Sequence, residues 1–277
     1  MQNKSELRLA VLIDAENVPS ANIKEMMEEI AKYGTPTFKR IYADWTKPHV
    51  TRWKHLLLEN AITPIQQYSY TQGKNASDSA MIIDAMDILY TGRVDGFCII
   101  SSDSDFTRLA LRLREAGMKI IGMGERKTPE PFIVACDKFI YIEILTAKPP
   151  AKLKIDRAPK EAEQEPEVVA TVQIKKIDSN VLELIAGTIT DLADETGWAF
   201  LGEMGNLMLK KQPDFDPRNY GYKRLALLIK STGAFDMDER LSDKGNGGIK
   251  HVYVKIKTEE KPAKAKSSRK RAKKSDA

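Results

Sequence analysis

The stretch GFCIISSDSDF, residues 96–106, joins a continuous apolar run to a row of hydroxyl and acidic side chains. A run that is apolar throughout is typical of a strand that is buried on both faces of a parallel sheet. The residues that follow have helical spacing up to Gly117, a residue that commonly ends helices. The stretch therefore predicts a strand at 96–101, a turn that carries acids, and a helix at 105–116.

Strand-like and helix-like segments alternate on both sides of this unit. RLAVLI at residues 8–13 and KIIGMG at residues 119–124 are further continuous apolar runs. Such an alternation predicts an α/β fold, with a mostly parallel sheet flanked by helices. The predicted strands are 8–13, 37–43, 62–67, 96–101, 119–124 and 138–144, and the predicted helices are 20–33, 47–60, 78–90 with Ser77 as N-cap, 105–116 and a short one near 129–137.

Residues 147–170 interrupt the alternation. The segment holds four of the 13 prolines of the chain, and no aromatic residue occurs between Tyr141 and Trp198. Such a sequence cannot build a hydrophobic core, so we interpret residues 147–174 as a flexible linker, and we expect few contacts between the domains that it joins. The first domain then spans residues 1–146.

Residues 175–257 are expected to form a second, smaller domain. Three helices are predicted, at 179–196, at 201–211, and after the sequence FDPRNYG up to Gly233. Two strand-like segments flank the turn GNGG at residues 245–248, as in a β-hairpin. Three helices followed by a hairpin give the outline of a winged helix.

Basic residues concentrate at the C-terminus. The formal net charge is +5, but residues 261–277 hold eight Lys/Arg and one Asp, and the rest of the chain holds 36 Lys/Arg and 38 Asp/Glu. A lysine-rich end attracts polyanions, nucleic acid first, although it can also serve only as a solvated end that aids solubility. We interpret residues 258–277 as a disordered basic tail.

Cysteine and histidine usage and the N-terminal segment exclude several classes of protein. Cys98 and Cys136 form no CxxC pair, and the three histidines have no ligand spacing, so a zinc site is not expected. The first apolar run ends after six residues at Asp14, which is too short for a signal peptide or a membrane span. We therefore expect a cytoplasmic protein with no membrane association.

Acidic residues follow two of the predicted strands at the point where each strand ends. Asp14 follows the first strand, and Asp103 and Asp105 follow the strand of the SSDSDF motif. Sites in open parallel sheets form beyond the carboxyl ends of the strands, so these carboxylates converge if the two strands are neighbours. Asp78, at the start of a predicted helix, can join them.

Clustered carboxylates of this kind point to a metal site. They repel one another unless a cation neutralises them, and hard oxygen ligands suit Mg²⁺ or Mn²⁺. Such an ion can lower the pKa of a bound water and stabilise the charge of a scissile phosphate. Each acid taken alone has a structural alternative, because acids at helix starts also serve as caps and favourably meet the helix dipole.

Three further residues are weaker candidates for the same site. Asn17 can orient a water or a ligand without adding negative charge, and Lys74 can neutralise a substrate phosphate. Asp84 lies six residues after Asp78, about 600° round an ideal helix, so the two do not share a face. We treat Asp84 as a lesser candidate that needs a partner of its own.

Three motifs, in this order, carry a resemblance to a known family: IDAEN at 13–17, Lys74 and Asp78 ahead of Asp84, and SSDSDF at 101–106. With them the chain resembles the NYN-domain family, the LabA-like branch of the PIN-like nucleases, over about residues 8–144. The resemblance implies a Rossmann-like α/β fold whose acids hold a divalent metal for RNA cleavage. By position it implies metal ligation by Asp14, Asp78, Asp103 and Asp105, a helper role for Asn17 and a lesser one for Asp84.

The chain departs from the family pattern at two places. Ser102 stands where the family often has glycine, and Lys74 lies one residue further from Asp78 than is usual. Neither departure removes a carboxylate, but the second leaves the placement of Lys74 open.

Residues 178–256 resemble an OST-HTH, or LOTUS, domain, a winged helix associated with RNA. The resemblance rests on FDPRNYGYKRL at 215–225, followed by Leu228-Ile229 and Gly233-Ala-Phe235. It implies binding of RNA, including G-rich RNA, or in some members of a protein partner. Base stacking by Tyr220 or Tyr222 is open, since both tyrosines can instead be core residues. The residues expected to contact phosphates are Arg218, Lys223, Arg224 and Lys230.

These features together predict a metal-dependent endoribonuclease that hydrolyses RNA phosphodiesters through a metal-activated water and retains RNA through its C-terminal domain. Two alternatives stay open. One is a non-catalytic RNA-binding regulator, and the other is a phosphohydrolase that acts on nucleotides or other phosphate esters. The C-terminal domain and the basic tail favour RNA over a small phosphate ester.

Overall fold

The computed structural model describes residues 6–68, 76–145, 175–241 and 250–257 of the chain. Lys74, the linker and the basic tail lie outside the described residues, as does the GNGG turn. Among the described residues, no helix is long and apolar enough to cross a membrane.

The first domain is a parallel sheet of six strands. The strands are β1 Arg8–Asp14, β2 Thr35–Ala43, β3 Thr63–Gln66, β4 Gly96–Ile100, β5 Lys119–Gly124 and β6 Lys138–Tyr141. Their order is β3-β2-β1-β4-β5-β6, so the two most apolar runs, β1 and β4, are central neighbours. Every residue of β4 is buried, as expected of a strand covered on both faces. The predicted α/β class with a mostly parallel sheet is confirmed.

Five helices of the described residues connect these strands: α1 Ile23–Ile30, α2 Lys54–Glu59, α3 Ala76–Tyr90, α4 Thr107–Glu115 and α5 Glu130–Ala135. Three predicted helices begin instead as 3₁₀ turns, at Ser20–Asn22, Pro48–Trp53 and Ser104–Phe106. Pro48 suits a first turn, where no amide donor is needed. Ser77 is the second residue of α3, so its predicted N-cap role is wrong.

The second domain combines three helices with an antiparallel sheet. The helices are α6 Ser179–Leu192, α7 Leu201–Lys211 and α8 Leu225–Thr232, and the strands β7 Ala199–Phe200, β8 Phe235–Leu241 and β9 Lys250–Ile256 pair in the order β7-β9-β8. The first helix ends at Leu192, before the predicted residue 196. Asp194 accepts hydrogen bonds from the amides of Thr196 and Trp198, which favours a turn over another helical turn.

Two separate hydrophobic cores lie in the chain. The first packs both faces of the six-stranded sheet and includes the fully buried Trp53 and Phe97. The second packs the three C-terminal helices on their sheet, with Ile185, Leu228 and Val254 fully buried. Each part of the chain therefore has the interior that an independent domain needs.

The two domains nevertheless contact each other along β6, the edge strand of the large sheet. The amide of Phe139 donates to the carbonyl oxygen of Pro213 at 2.9 Å, and the hydroxyl of Tyr141 donates to Oδ2 of Asp214 at 2.9 Å. The composition of the linker did not predict these specific hydrogen bonds. The composition of a linker describes the linker and not the surfaces that it joins. Docking here also covers backbone groups that an open edge strand leaves unpaired.

Candidate metal centre and RNA surface

The carboxyl ends of β1 and β4 lie side by side, and a serine connects them. Ile13 pairs with Ile100, so the next residues, Asp14 and Ser101, are adjacent. Oγ of Ser101 donates to Oδ2 of Asp14 at 2.8 Å and accepts from the amide of Asp103 at 3.1 Å. Ser101 was not among the predicted site residues, although its place in the SSDSDF motif was a usable signal. This hydroxyl fixes the first acid relative to the acidic turn.

Three of the predicted ligands converge beyond this point. Asp78, Asp103 and Asp105 each offer a carboxylate oxygen, and the three oxygens lie within 4.8 Å of one another. Asp78 is buried, Asp103 is half-buried and Asp105 is exposed, so the group opens toward solvent. Oδ1 of Asp103 also accepts the amide of Asp105 at 2.9 Å, so Asp103 caps the 3₁₀ turn at Ser104–Phe106 as well.

Asp14 lies behind this group. Its side chain is buried, its Oδ2 accepts from Nδ2 of Asn17 at 2.7 Å, and its Oδ1 accepts from the amide of Glu16 at 3.1 Å. Burial raises the pKa of Asp14, while the hydrogen bonds from Asn17 and Ser101 act to lower it. Asp14 is not one of the three carboxylates that meet within 4.8 Å. Asn17, predicted as a helper, holds Asp14 in place.

The pKa of Asp78 is strongly raised by its surroundings. Burial, and then the negative charges of Asp14 and Asp103, raise the pKa of Asp78 to about 7. Glu16 and Asp105 contribute in the same direction. Glu16, which the sequence analysis did not select, pairs with Lys47 at 3.6 Å. An acid held this far from its ordinary pKa in a group of carboxylates is typical of a cation-binding or catalytic site.

Asp84, the lesser candidate, is not part of this group. Its carboxylate pairs with the guanidinium of Arg40 and accepts a hydrogen bond from the hydroxyl of Tyr42. An acid at this position was expected to need a partner, and the structure gives it Arg40 of β2. The charge of Asp84 is thus compensated by Arg40, and Asp84 lies off the helix face that carries Asp78, so its metal role stays a prediction.

Two of the predicted RNA-binding residues lie at the domain interface or in the core. The guanidinium of Arg218 donates to both carboxylate oxygens of Glu29 in α1, at 2.9 and 2.8 Å, and to both oxygens of Asp216. Tyr220 is buried beside Phe215, with ring centroids 6.1 Å apart. Arg218 is thus occupied by carboxylates and Tyr220 by core packing, so neither is placed for the contact expected of it.

The other predicted RNA contacts are accessible. Lys223, Arg224 and Lys230 are all exposed at or near α8. Tyr222 is partly buried against the second core, which agrees with its alternative as a core residue. The second domain therefore presents accessible basic side chains at or near α8.

The donor set of the acidic group fits a hard divalent cation. Its members are carboxylates, which Mg²⁺ and Mn²⁺ prefer, and no sulfur or imidazole takes part among the described residues. Cys98 and Cys136 are both buried free cysteines. A cation bound to these carboxylates would also relieve the repulsion that raises the pKa of Asp78.

The fold and the site define a class: an α/β domain with an acidic centre at the carboxyl ends of its strands, followed by a small domain of three helices and an antiparallel sheet. Comparison with known families makes this specific. The NYN domain matches residues 8–143, and the OST-HTH/LOTUS domain matches residues 173–246. The chain is an NYN-domain protein with a C-terminal OST-HTH/LOTUS domain, as the sequence motifs predicted. These domains indicate a nuclease-type, RNA-related role.

Two solved structures are similar to parts of the chain. One is the crystal structure of a protein of unknown function from Vibrio parahaemolyticus, 21% identical, with a TM-score of 0.44, over 51% of this chain and 96% of that one. The other is the NMR structure of an uncharacterized protein from Nitrosomonas europaea, 34% identical, with a TM-score of 0.27, over 38% of this chain and 92% of that one. No curated protein matches the sequence significantly.

Proposed function

We propose that the protein is a metal-dependent endoribonuclease whose NYN domain hydrolyses RNA and whose OST-HTH/LOTUS domain retains it. The observation that carries the proposal is the convergence of Asp78, Asp103 and Asp105 within 4.8 Å at the carboxyl ends of the strands. Carboxylates that repel one another at this edge of an open sheet are typical of a site where a bound cation neutralises them. The NYN family and the RNA-binding family of the second domain supply the substrate class.

In this proposal Asp78, Asp103 and Asp105 hold Mg²⁺ or Mn²⁺. Asp14, which is buried, adds a further negative charge that acts on Asp78. A bound ion of this kind supplies positive charge for the scissile phosphate and acidifies water. Ser101 and Asn17 orient Asp14 through their hydrogen bonds. The cap that Asp103 forms with the amide of Asp105 fixes one acid relative to the other before any ion arrives.

The protein chain itself supplies positioning and electrostatics. Hydrolysis adds a water oxygen to phosphorus and breaks the bond to the leaving ribose oxygen, which takes up a proton. The raised pKa of Asp78 makes that carboxyl able to exchange a proton near neutral pH while the site is free of metal. Lys223, Arg224 and Lys230 bind phosphates further along the strand, because they are exposed cations on the second domain. We place this activity in the cytoplasm.

Cleavage of labelled single-stranded RNA by the purified full-length protein tests the proposal. Turnover is expected with Mg²⁺ or Mn²⁺ and is expected to stop with EDTA. RNA binding without turnover under all metal conditions would favour the non-catalytic regulator. Turnover of nucleotides or aryl phosphates in preference to RNA would favour the phosphohydrolase.

A further inference from the structure

Two cations from different domains lie against one aromatic ring at the domain interface. Cζ of Arg126, which follows β5, is 5.4 Å from the ring centroid of Tyr141, and Nζ of Lys175, which precedes α6, is 5.2 Å from the same centroid. Tyr141 itself is fastened to the second domain through its hydroxyl bond to Asp214. We call Arg126 and Lys175 the seam cations.

The guanidinium of Arg126 has unused hydrogen-bonding capacity. Its Nε and Nη2 are enclosed, and neither has a hydrogen-bond partner within the part of the chain that the structure describes. The backbone amide of Arg126 donates to Oε1 of Glu143 at 2.8 Å. A charged donor that is withdrawn from water without a partner is costly, and a small rotation toward an anion would recover that cost.

Lys175 is the more accessible of the two cations. Its side chain is 43% exposed and lies 3.8 Å from Oδ2 of Asp214, an oxygen that also accepts the hydroxyl of Tyr141. The ammonium group has three donors, so a loose contact with Asp214 leaves donors for a second anion. The acids near the seam include Asp214, Glu143 and Glu130; Oδ2 of Asp214 and Oε1 of Glu143 already accept hydrogen bonds.

A hydrogen bond links the chain segment of one seam cation, Arg126, to the acidic centre. The amide of Glu125, the residue before Arg126, donates to Oγ of Ser102 at 2.9 Å, and Ser102 directly precedes Asp103. The loop that carries Arg126 is therefore bonded to the loop that carries a predicted metal ligand. Arg126 in turn contacts the ring of Tyr141, and Lys175 of the second domain contacts the same ring.

We propose that Arg126 and Lys175 bind a backbone phosphate of single-stranded RNA as the strand passes from the OST-HTH/LOTUS domain to the acidic centre. The proposal rests on the proposed function for its choice of RNA. An RNA strand that approaches a group of carboxylates needs cations close to that group, because its phosphates are otherwise repelled. Arginine and lysine on opposite sides of a domain boundary supply such a place only while the domains are docked.

Binding of a labelled single-stranded oligoribonucleotide to the full-length protein tests the proposal. The measurement uses Asp103→Asn protein in EDTA at several KCl concentrations, so it is independent of turnover. Arg126→Gln and Lys175→Gln are each expected to weaken binding roughly tenfold, as for the loss of one charged hydrogen bond. Each is also expected to lower the salt slope by about 0.7, the share of one phosphate on a single strand.

The neighbouring lysines supply matched controls. Lys127→Gln and Lys176→Gln remove the same charge one residue away from each seam cation, and both are expected to change affinity less than threefold, close to the neutral end of surface substitutions. Arg126→Lys should retain the salt slope because it keeps the charge. Equal losses of RNA affinity for Lys175→Gln and Lys176→Gln would overturn a specific phosphate site and leave only general electrostatic attraction. Unchanged affinity in both seam variants would also overturn the proposal. Absence of RNA cleavage by the wild-type protein would leave this binding result standing.

Discussion

The ion pair between Glu29 and Arg218 provides the sharpest test of the docked arrangement. The Glu29 side chain is 4% exposed and Arg218 is 29% exposed, and their two hydrogen bonds are 2.8 and 2.9 Å long. Burial raises the pKa of Glu29, but the hydrogen bonds and charges of Arg218 and Lys32 outweigh it and hold the pKa at about 2 instead of 4.5. Lys32 is 61% exposed, so water screens its share and most of the effect belongs to Arg218.

The size of the effect follows from that pKa. A tenfold change in an ionisation constant corresponds to about 1.4 kcal/mol, so the ionised Glu29 is stabilised in the folded protein by about 3 kcal/mol. Arg218→Met leaves Glu29 and Asp216 buried without their shared cation, so we expect a loss of about 3 kcal/mol in the free energy of unfolding. Because the pKa of Glu29 is lowered on folding, its contribution is complete above about pH 4.5 and disappears as the pH falls through about 2.

Urea unfolding of the full-length protein in EDTA at pH 7 measures this loss. Trp53 is buried in the first domain and Trp198 lies in the second, so tryptophan fluorescence reports on both. Lys250→Met is the control, since its pair with Glu239 is exposed at both ends and should contribute less than about 1 kcal/mol. In a double variant, Glu29→Gln with Arg218→Met, the free energy of unfolding should fall by less than the sum of the two single-variant losses. An Arg218→Met protein as stable as the Lys250→Met protein would refute the reasoning.

Three further outcomes are expected. Asp78→Asn should stabilise the metal-free protein by roughly 1–2 kcal/mol at pH 8, because it removes a carboxylate that is buried and that its acidic neighbours repel. The exposed Asp105 lets water screen part of that repulsion, and unchanged or lower stability on chemical denaturation in EDTA would contradict this expectation. Asp84→Ala should lower stability by about 2–3 kcal/mol, because it leaves Arg40 without its carboxylate, yet keep metal-dependent turnover, and a selective loss of turnover in a folded variant would return Asp84 to the site. Deleting residues 171–277 should leave turnover but weaken RNA binding most at low salt. The deletion should also expose the β6 edge, so we expect the truncated protein to aggregate more readily than the full chain. Equal RNA affinity and equal salt slope for both forms would contradict the role of the C-terminal half in holding RNA.

The sequence predicted those features that depend on neighbouring residues and on general rules for sheets. The continuous apolar runs of β1 and β4 predicted strands, and the shared edge of parallel strands predicted that the acids at their ends lie near one another. Asp103 and Asp105 meet Asp78 there, whereas Asp14 stays outside that group of three. Asp103 shows the limit of such reasoning, since the capping and the clustering interpretation both describe it.

Other features depend on partners that are distant in the sequence. Arg218 reads as a phosphate contact from its local motif, but Glu29 lies 189 residues away and no local pattern predicts their pairing. The place of Ser101 between two acids likewise depends on strand register, which the sequence pattern left open. The buried pair at Glu29 fixes how the domains dock, and that docking is a property of two surfaces together.

The rate of RNA cleavage by Asp103→Asn protein in Mn²⁺ tests the central claim most directly. The substitution keeps the size of the side chain and the cap oxygen but removes the charge that a cation needs. Asp87→Asn, at an exposed position of α3 outside the acidic group, is the matched control. We predict that Asp103→Asn lowers the rate by at least about 100-fold, the scale seen when one preorganised electrostatic contact is lost, while Asp87→Asn cleaves RNA at the wild-type rate. Wild-type turnover by a folded Asp103→Asn protein would contradict a metal-dependent nuclease site at these acids.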